Sequence, residues 1–254
     1  GVVLTLPATG SESNTFSVVS NLETHDKLPF ASEYVRPRFA VLDPAVTFSL
    51  PERQVTNVIV DALVHTMEQY RTYDVGAKLQ DRFAEGILMP LIEEGPKAFS
   101  EPENYQVRAN IMWSATMALN GLIGAGVPQD WATHMIGHEM TAVYGLDHAQ
   151  TLAIVLPRMM AEQKDTKRGK LLQYAERVLG LDITNEEAAI EHAIAATEAF
   201  FHSVKMPTRL SDYNLDDSVA DKLVAQLERH GMTALGEREQ VTLEKSRAIL
   251  LASV

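Results

Sequence analysis

Three of the chain's eight histidines, His134, His138 and His148, fall in the stretch VPQDWATHMIGHEMTAVYGLDHAQTLAIVLP (127–157), which is otherwise rich in small and apolar residues. A segment of that composition is expected to be buried, and buried imidazoles need partners. His134 and His138 are four apart and share a face if a helix forms. His148 follows Gly145, a residue type that ends helices and opens turns, so the reading places it in the loop after that helix. A second pair, Asp61 and His65, stands four apart in NVIVDALVHTMEQY among Val58, Ile59, Ala62 and Leu63. Asp61, His65, His134 and His148 together make a one-carboxylate, three-imidazole set. Such a set suits Zn²⁺ or Fe²⁺ and is unlike the all-oxygen sites of Mg²⁺ or Ca²⁺.

Each feature has an ordinary reading beside the chemical one. An Asp/His pair at helical spacing is usually a local hydrogen bond, and a histidine on an apolar face is usually a satisfied core residue. Three histidines within fifteen positions, with a separate Asp/His pair available, favour the metal. His138-Glu139 begins like the HExxH zinc-protease helix, but position 142 is alanine and that motif is absent. TLPATGSESN joins a strand to a hydroxyl- and glycine-rich loop that can meet a polar ligand or serve as an ordinary turn. Lys27, in HDKLPF, reads as a phosphate partner or a solvated charge.

The elements that must position these groups divide near residue 50. Before it, Val2 to Leu6, Phe16 to Val19 and Phe39 to Leu42 follow strand-and-turn grammar. After it the chain is helical. One helix, capped by Ser49 with Pro51 in its first turn, runs to about Tyr70. A second spans Lys78 to Phe99, bent or interrupted at Pro90, and a third Glu103 to Ile123. The 127–157 stretch follows, then helices in TKRGKLLQYAERVLG, NEEAAIEHAIAATEAFFHSV and LDDSVADKLVAQLERHG, and a last one from Thr242 to Ala252. The glutamates of Glu186 to Glu198 read as a solvated face. His25, His192, His202 and His230 receive no chemistry.

At 254 residues and 46% hydrophobic, the chain can bury a large core. No apolar run approaches the roughly 20 residues of a membrane span. No secretory leader is visible, and without cysteine there is no disulfide framework, so a cytoplasmic setting is expected. A net charge of −12 argues against nucleic acid as a partner.

LTLPATGSESN, AVLDPAVTFSLP, NVIVDALVHTMEQY and GAGVPQDWATHMIGHEMTAVYGLDHAQTLAIVLP, collinear along the chain, resemble the iron-containing alcohol dehydrogenase family, and within it the bacterial NADPH-dependent aldehyde reductase and butanol dehydrogenase branch. The resemblance implies a mainly α chain. A remnant of an α/β dinucleotide-binding domain (1–50) precedes an all-helical metal-binding catalytic domain (51–254). The family's glycine-rich first half lies outside this sequence, as preceding chain or as another polypeptide. By resemblance the metal ligands, for Zn or Fe, are Asp61, His65, His134 and His148. His138 lies between metal and nicotinamide and is the candidate catalytic residue. Thr5, Thr9, Asn14, Lys27, Val46 and Ser49, with His138, are the implied NADP(H) contacts. The implied reaction passes hydride between NADP(H) and a small aldehyde or primary alcohol, and a homodimer is expected. Trp113, Met117, Trp131, Met135 and Ile136 around the motifs suggest an apolar substrate. Two rivals stand beside this reading. One is a lyase resembling dehydroquinate synthase, which needs a pocket dense in lysine and arginine. The other is a non-catalytic domain with a closed structural metal site.

Overall fold

A computed structural model describes all 254 residues. The strands come first. β1 (Val2–Leu4) pairs in parallel with β4 (Ala40–Leu42), and between them β2 (Phe16–Asn21) and β3 (Asp26–Ala31) form an antiparallel hairpin with Ser20 opposite Lys27. β3 is not among the expected strands, because Asp26-Lys27, which opens it, has the composition of a break, and it contains Pro29. In a two-stranded hairpin β3 has one open edge, which tolerates a residue without an N–H.

Helix α1 (Glu52–Tyr70) is the axis of the molecule, and it packs against α2 (Lys78–Glu94), α4 (Tyr105–Leu119) and α6 (His148–Glu162). From Val58 to Tyr70 every residue of α1 is buried, as expected of a helix surrounded on all sides. The polar groups Asp61, His65 and Glu68 therefore sit inside the protein and need internal partners. α1 has no side-chain cap: Pro51 holds the N-cap position, and the Ser49 hydroxyl instead points back to the Val46 carbonyl. The expected Ser49 cap is thus corrected.

The break expected at Pro90 is displaced. α2 runs through Pro90 and stops at Gly95, after which Pro96 precedes the single turn α3 (Lys97–Ser100). Residue 86, four before Pro90, is an exposed glycine, so the carbonyl that Pro90 leaves without a donor faces water. At Gly95 a β-carbon would lie 2.6 Å from the Leu91 oxygen and 3.2 Å from Ile59 of α1, so only glycine permits that approach.

α5 (Ala132–Tyr144) and α6 pack closely, because a β-carbon at Gly137 would meet the Thr151 hydroxyl at 2.7 Å. α6 separates two apolar cores. Leu152, Ala153, Leu156 and Met160 enter the core around α1, α2, α7 (Arg168–Arg177) and α8 (Glu186–Ser203). Ile154, Val155 and Met159 enter the core shared with α5, α9 (Val219–Arg229) and α10 (Leu243–Leu251). Two short strands, β5 (Ala234–Leu235) and β6 (Val241–Thr242), link the last two helices. The helices after residue 160 fall where the sequence placed them, although Glu198 is only partly solvated: it pairs with Arg158 at 2.8 Å and accepts from Thr208 at 2.6 Å. No helix is long and apolar enough to cross a membrane.

Candidate metal centre

Helical spacing puts Asp61, His65 and Glu68 at i, i+4 and i+7 on one face of α1, turned toward α5 and the start of α6. The Asp61 Oδ1 lies 3.5 Å from His65 Nε2, 3.8 Å from His134 Nε2 and 3.7 Å from His148 Nε2. Ligands around a tetrahedral ion at zinc–nitrogen distances stand about 3.4 Å apart. The cluster therefore has the span of a single coordination sphere. The ligand atoms of Asp61, His134 and His148 lie within 4.8 Å of one another, and His65 joins them through Asp61. Asp61 Oδ1 and His134 Nε2 are buried without a hydrogen-bond partner. Buried polar atoms without partners are costly, and here they point at a common centre. The residues fit a divalent ion of the zinc or iron type.

His148 is the first residue of α6 and not part of a loop. Its placement depends on Asp147, whose carboxylate takes two 2.6 Å bonds from Arg53 and one of 2.8 Å from Asn57, tying the start of α6 to the first turns of α1.

Glu68 is not among the site residues expected from the sequence. This fully buried carboxylate is held by the Thr133 N–H at 2.6 Å and accepts the His134 Nδ1 proton, leaving His134 Nε2 free to face the centre. A carboxylate–histidine pair of this kind fixes the tautomer of a metal ligand. The signal that would have found it is its place seven residues after Asp61. Burial works against the charged form of His134, but the Glu68 and Asp61 carboxylates together outweigh it and raise the pKa to about 9. Burial lowers His65 to about 4 and His138 to about 2, and pushes His148 well below its ordinary value. These three imidazoles are neutral at pH 7, the form that binds metal. Glu68→Gln is expected to weaken divalent-metal affinity about 10–100-fold, a drop that competition with a chromophoric chelator would measure.

His138 lies beside these four side chains and outside their shared centre: its ring is 5.0 Å from that of His148 and 6.1 Å from that of His134, and its buried Nδ1 has no partner. Trp131 packs edge-on over His134 and His65, with ring centroids 5.2 and 6.1 Å away. Its φ of 60° is a strained value for so bulky a residue, and a buried ionic network below it holds the turn. The Asp130 carboxylate accepts from the Ala132 N–H at 2.8 Å and pairs with Lys167, which reaches Glu237 at 2.8 Å; Gln163 joins Asp130 to Arg71. Of the other apolar residues expected near the metal, Trp113 and Met117 line a separate groove between α2 and α4, and Ile136 enters the α9–α10 core.

Lys27 is brought to the cluster by β3, which packs on α5. Burial lowers the pKa of its ammonium against the pull of Asp61, and its charge acts on both His138 and His148. Thr5, Thr9, Val46 and Ser49 are exposed and make no hydrogen bond to the cluster. Asn14 is buried and engaged within its own loop, donating to the Thr9 carbonyl at 2.9 Å and accepting from the Phe16 N–H at 3.0 Å. That loop is pinned to α4 by the Thr116 hydroxyl, which donates to buried Glu12 at 2.6 Å.

Residues 56–254 match the model of the iron-containing alcohol dehydrogenase family's C-terminal region. Over its whole length the chain is 63% identical to the NADPH-dependent aldehyde reductase YqhD of Escherichia coli K12, and 38% identical to a probable NADH-dependent butanol dehydrogenase of Bacillus subtilis. It spans 65% and 66% of the lengths of those relatives. Among solved structures, E. coli YqhD superposes with a TM-score of 0.99 at 62% identity, covering 100% of this chain and 65% of that one. The NADH-dependent butanol dehydrogenase A of Thermotoga maritima superposes with a TM-score of 0.93 at 30% identity, covering 99% and 65%. The helical architecture, the residues that converge on Asp61 and these likenesses agree: the chain belongs to the iron-containing alcohol dehydrogenase family.

Proposed function

We propose that this chain is the metal-binding part of an NADPH-dependent aldehyde reductase, interconverting small aldehydes and primary alcohols. The observation that carries the reading is the convergence of Asp61, His65, His134 and His148 on one centre, where Asp61 Oδ1 and His134 Nε2 are buried without a hydrogen-bond partner. The 63% identity to an NADPH-dependent aldehyde reductase supports NADPH over NADH. A divalent ion held by Asp61, His65, His134 and His148 would supply Lewis acidity toward a carbonyl oxygen, and a bound nicotinamide would supply hydride.

The chain's own groups do the rest. Trp131 excludes water from the His65–His134 side and gives the substrate an apolar wall. His148 is the most open member of the ligand set, with 23% of its side chain exposed, so access is on the side where Lys27 and His138 stand. Lys27 offers a cation to the cofactor. His138, with one ring nitrogen uncommitted, passes a proton at the alcohol oxygen. Residues 1–50, with their parallel β1–β4 pair, belong with the nucleotide-binding part in this reading, and residues 51–254 form the catalytic helical domain.

An open face is the observation that disfavours a purely structural metal, which is normally enclosed by its ligands. A lyase of the dehydroquinate synthase kind needs several cations around the metal, whereas Lys27 is the one lysine or arginine whose charge acts on His138 and His148.

The test is NADPH-linked reduction of butanal by the full-length enzyme before and after metal removal. Chelation is expected to abolish turnover, and Zn²⁺ or Fe²⁺ to restore it. In the reloaded enzyme His138→Ala is expected to lower kcat about 10²-fold or more with metal content unchanged. Turnover that survives complete metal removal would refute the reading.

A further inference from the structure

His230, at the C-terminal end of α9, is bonded on both ring nitrogens. Nδ1 meets Glu139 Oε1 at 2.5 Å and Nε2 meets Asp26 Oδ1 at 2.9 Å. Its two partners come from different parts of the chain. Asp26 opens β3 and directly precedes Lys27, while Glu139 is on α5 and directly follows His138. Glu139 is buried, its other oxygen has no partner, and His230 is the cation that compensates it. Arg229 reinforces the Asp26 side through an ion pair and donates to the Thr24 carbonyl at 3.4 Å. The hairpin turn touches α5 once more, where His25, in the left-handed region at φ 54°, meets the Ala142 carbonyl at 3.3 Å.

We propose that His230 is a positioning residue: its imidazolium clasps the β2–β3 hairpin to α5 and thereby holds Lys27 over the metal centre. The inference rests on the proposed reading in one respect, that Lys27 faces the cofactor. The clasp itself stands on geometry alone. An imidazolium donates from both nitrogens, whereas a neutral ring donates from one and must turn a lone pair toward the other carboxylate. The bridge between two carboxylates is complete only when His230 is charged.

The surroundings favour that charged state. Burial acts against it, but the hydrogen bonds that the ring donates to Glu139 and Asp26, with the Glu139 charge, outweigh burial and the opposing charge of Arg229, and raise the His230 pKa. Asp26 is drawn down to about 2 by its bonds to Thr24 and His230. Glu139 is raised by burial, and His230 opposes that rise. For a histidine with a raised folded-state pKa, the stabilisation is fully present below the ordinary value of 6.5 and is lost as the pH rises through the folded-state value. The clasp therefore opens toward alkaline pH.

Two measurements on the metal-loaded, full-length enzyme test this, comparing the parent with His230→Ala and His230→Gln. Hydrogen exchange over residues 22–31, corrected for intrinsic rates, is expected to accelerate about tenfold in both variants, and in the parent as the pH is raised from below the ordinary histidine range into alkaline solution, with α1 unaffected. The KM for NADPH is expected to rise about tenfold while kcat changes less than about twofold, and its pH dependence over that range to flatten in the variants. Unchanged exchange over 22–31 would overturn the clasp. Faster exchange with an unchanged KM for NADPH would overturn the positioning role, as would equal losses of activity and thermal stability without a KM shift. A parent enzyme inactive with NADPH would instead count against the functional reading, and the exchange data would still decide the clasp.

Discussion

Asp61→Asn is expected to leave the protein folded, remove its bound divalent metal and lower aldehyde reduction by about 10³-fold. Asp61 Oδ1 is the atom to which all three imidazoles converge, at 3.5, 3.7 and 3.8 Å, and it is the one anionic oxygen in that set. An amide oxygen there keeps the shape and loses the charge. Removing about 4 kcal/mol of electrostatic stabilisation from a developing alkoxide corresponds to roughly 10³ in rate. Binding linkage gives a second readout, since a ligand at about 1,000 times its Kd stabilises the folded state by about 4 kcal/mol. The parent is therefore expected to melt several degrees higher when metal is added, and the variant to show no such increment. Metal content by elemental analysis checks the claim directly. A variant that retains a full equivalent of metal would remove Asp61 from the ligand set.

The second large effect lies one layer below the metal. Asp130→Ala is expected to cost about 3–5 kcal/mol of folding stability, the range found when one partner of a buried ion pair is removed. Burial opposes the charge on Asp130, but Lys167 and Arg71 outweigh it and hold the carboxyl below its ordinary range. Without Asp130, Lys167 keeps only Glu237, Gln163 loses an acceptor, and the Ala132 N–H at the head of α5 loses its cap. The midpoint of urea denaturation measures the loss. A change below about 1 kcal/mol would show that water or rearrangement replaces the carboxylate. Trp131 is expected to respond as well, because its left-handed backbone is held between Asp130 and Ala132; its emission reports the release against Trp113, the only other tryptophan.

Much of the centre was legible because helical spacing is a strong geometric constraint. Asp61 and His65, like His134 and His138, had to share faces, and an apolar setting made solvent an unsuitable partner for them. Glu68 obeys the same constraint but was hidden by its type, since a glutamate near the end of a helix ordinarily reads as surface. His230 was illegible for a different reason. Its partners are 91 and 204 residues away, and no local pattern encodes contacts at that separation. Among the elements, β3 was concealed by the polar Asp26-Lys27 pair at its start, which has the composition of a break, and the helix stop moved from Pro90 to Gly95 because the sequence does not show which carbonyl faces water. The groove holding Trp113 and Met117 was misplaced beside the metal because closeness in sequence to a motif was read as closeness in space.

α6 carries His148 at its head and is gripped along its length by apolar cores on both flanks. A ligand mounted on such a partition has little freedom to wander, and Gly137 locks the neighbouring helix against it at van der Waals distance. The ordering of this part of the coordination sphere is therefore accomplished during folding. With Asp61, His65, His134 and His148 as the proposed ligands, the apoprotein is expected to present a preorganised socket, and hydrogen exchange at the head of α6 to be the same before and after metal is added.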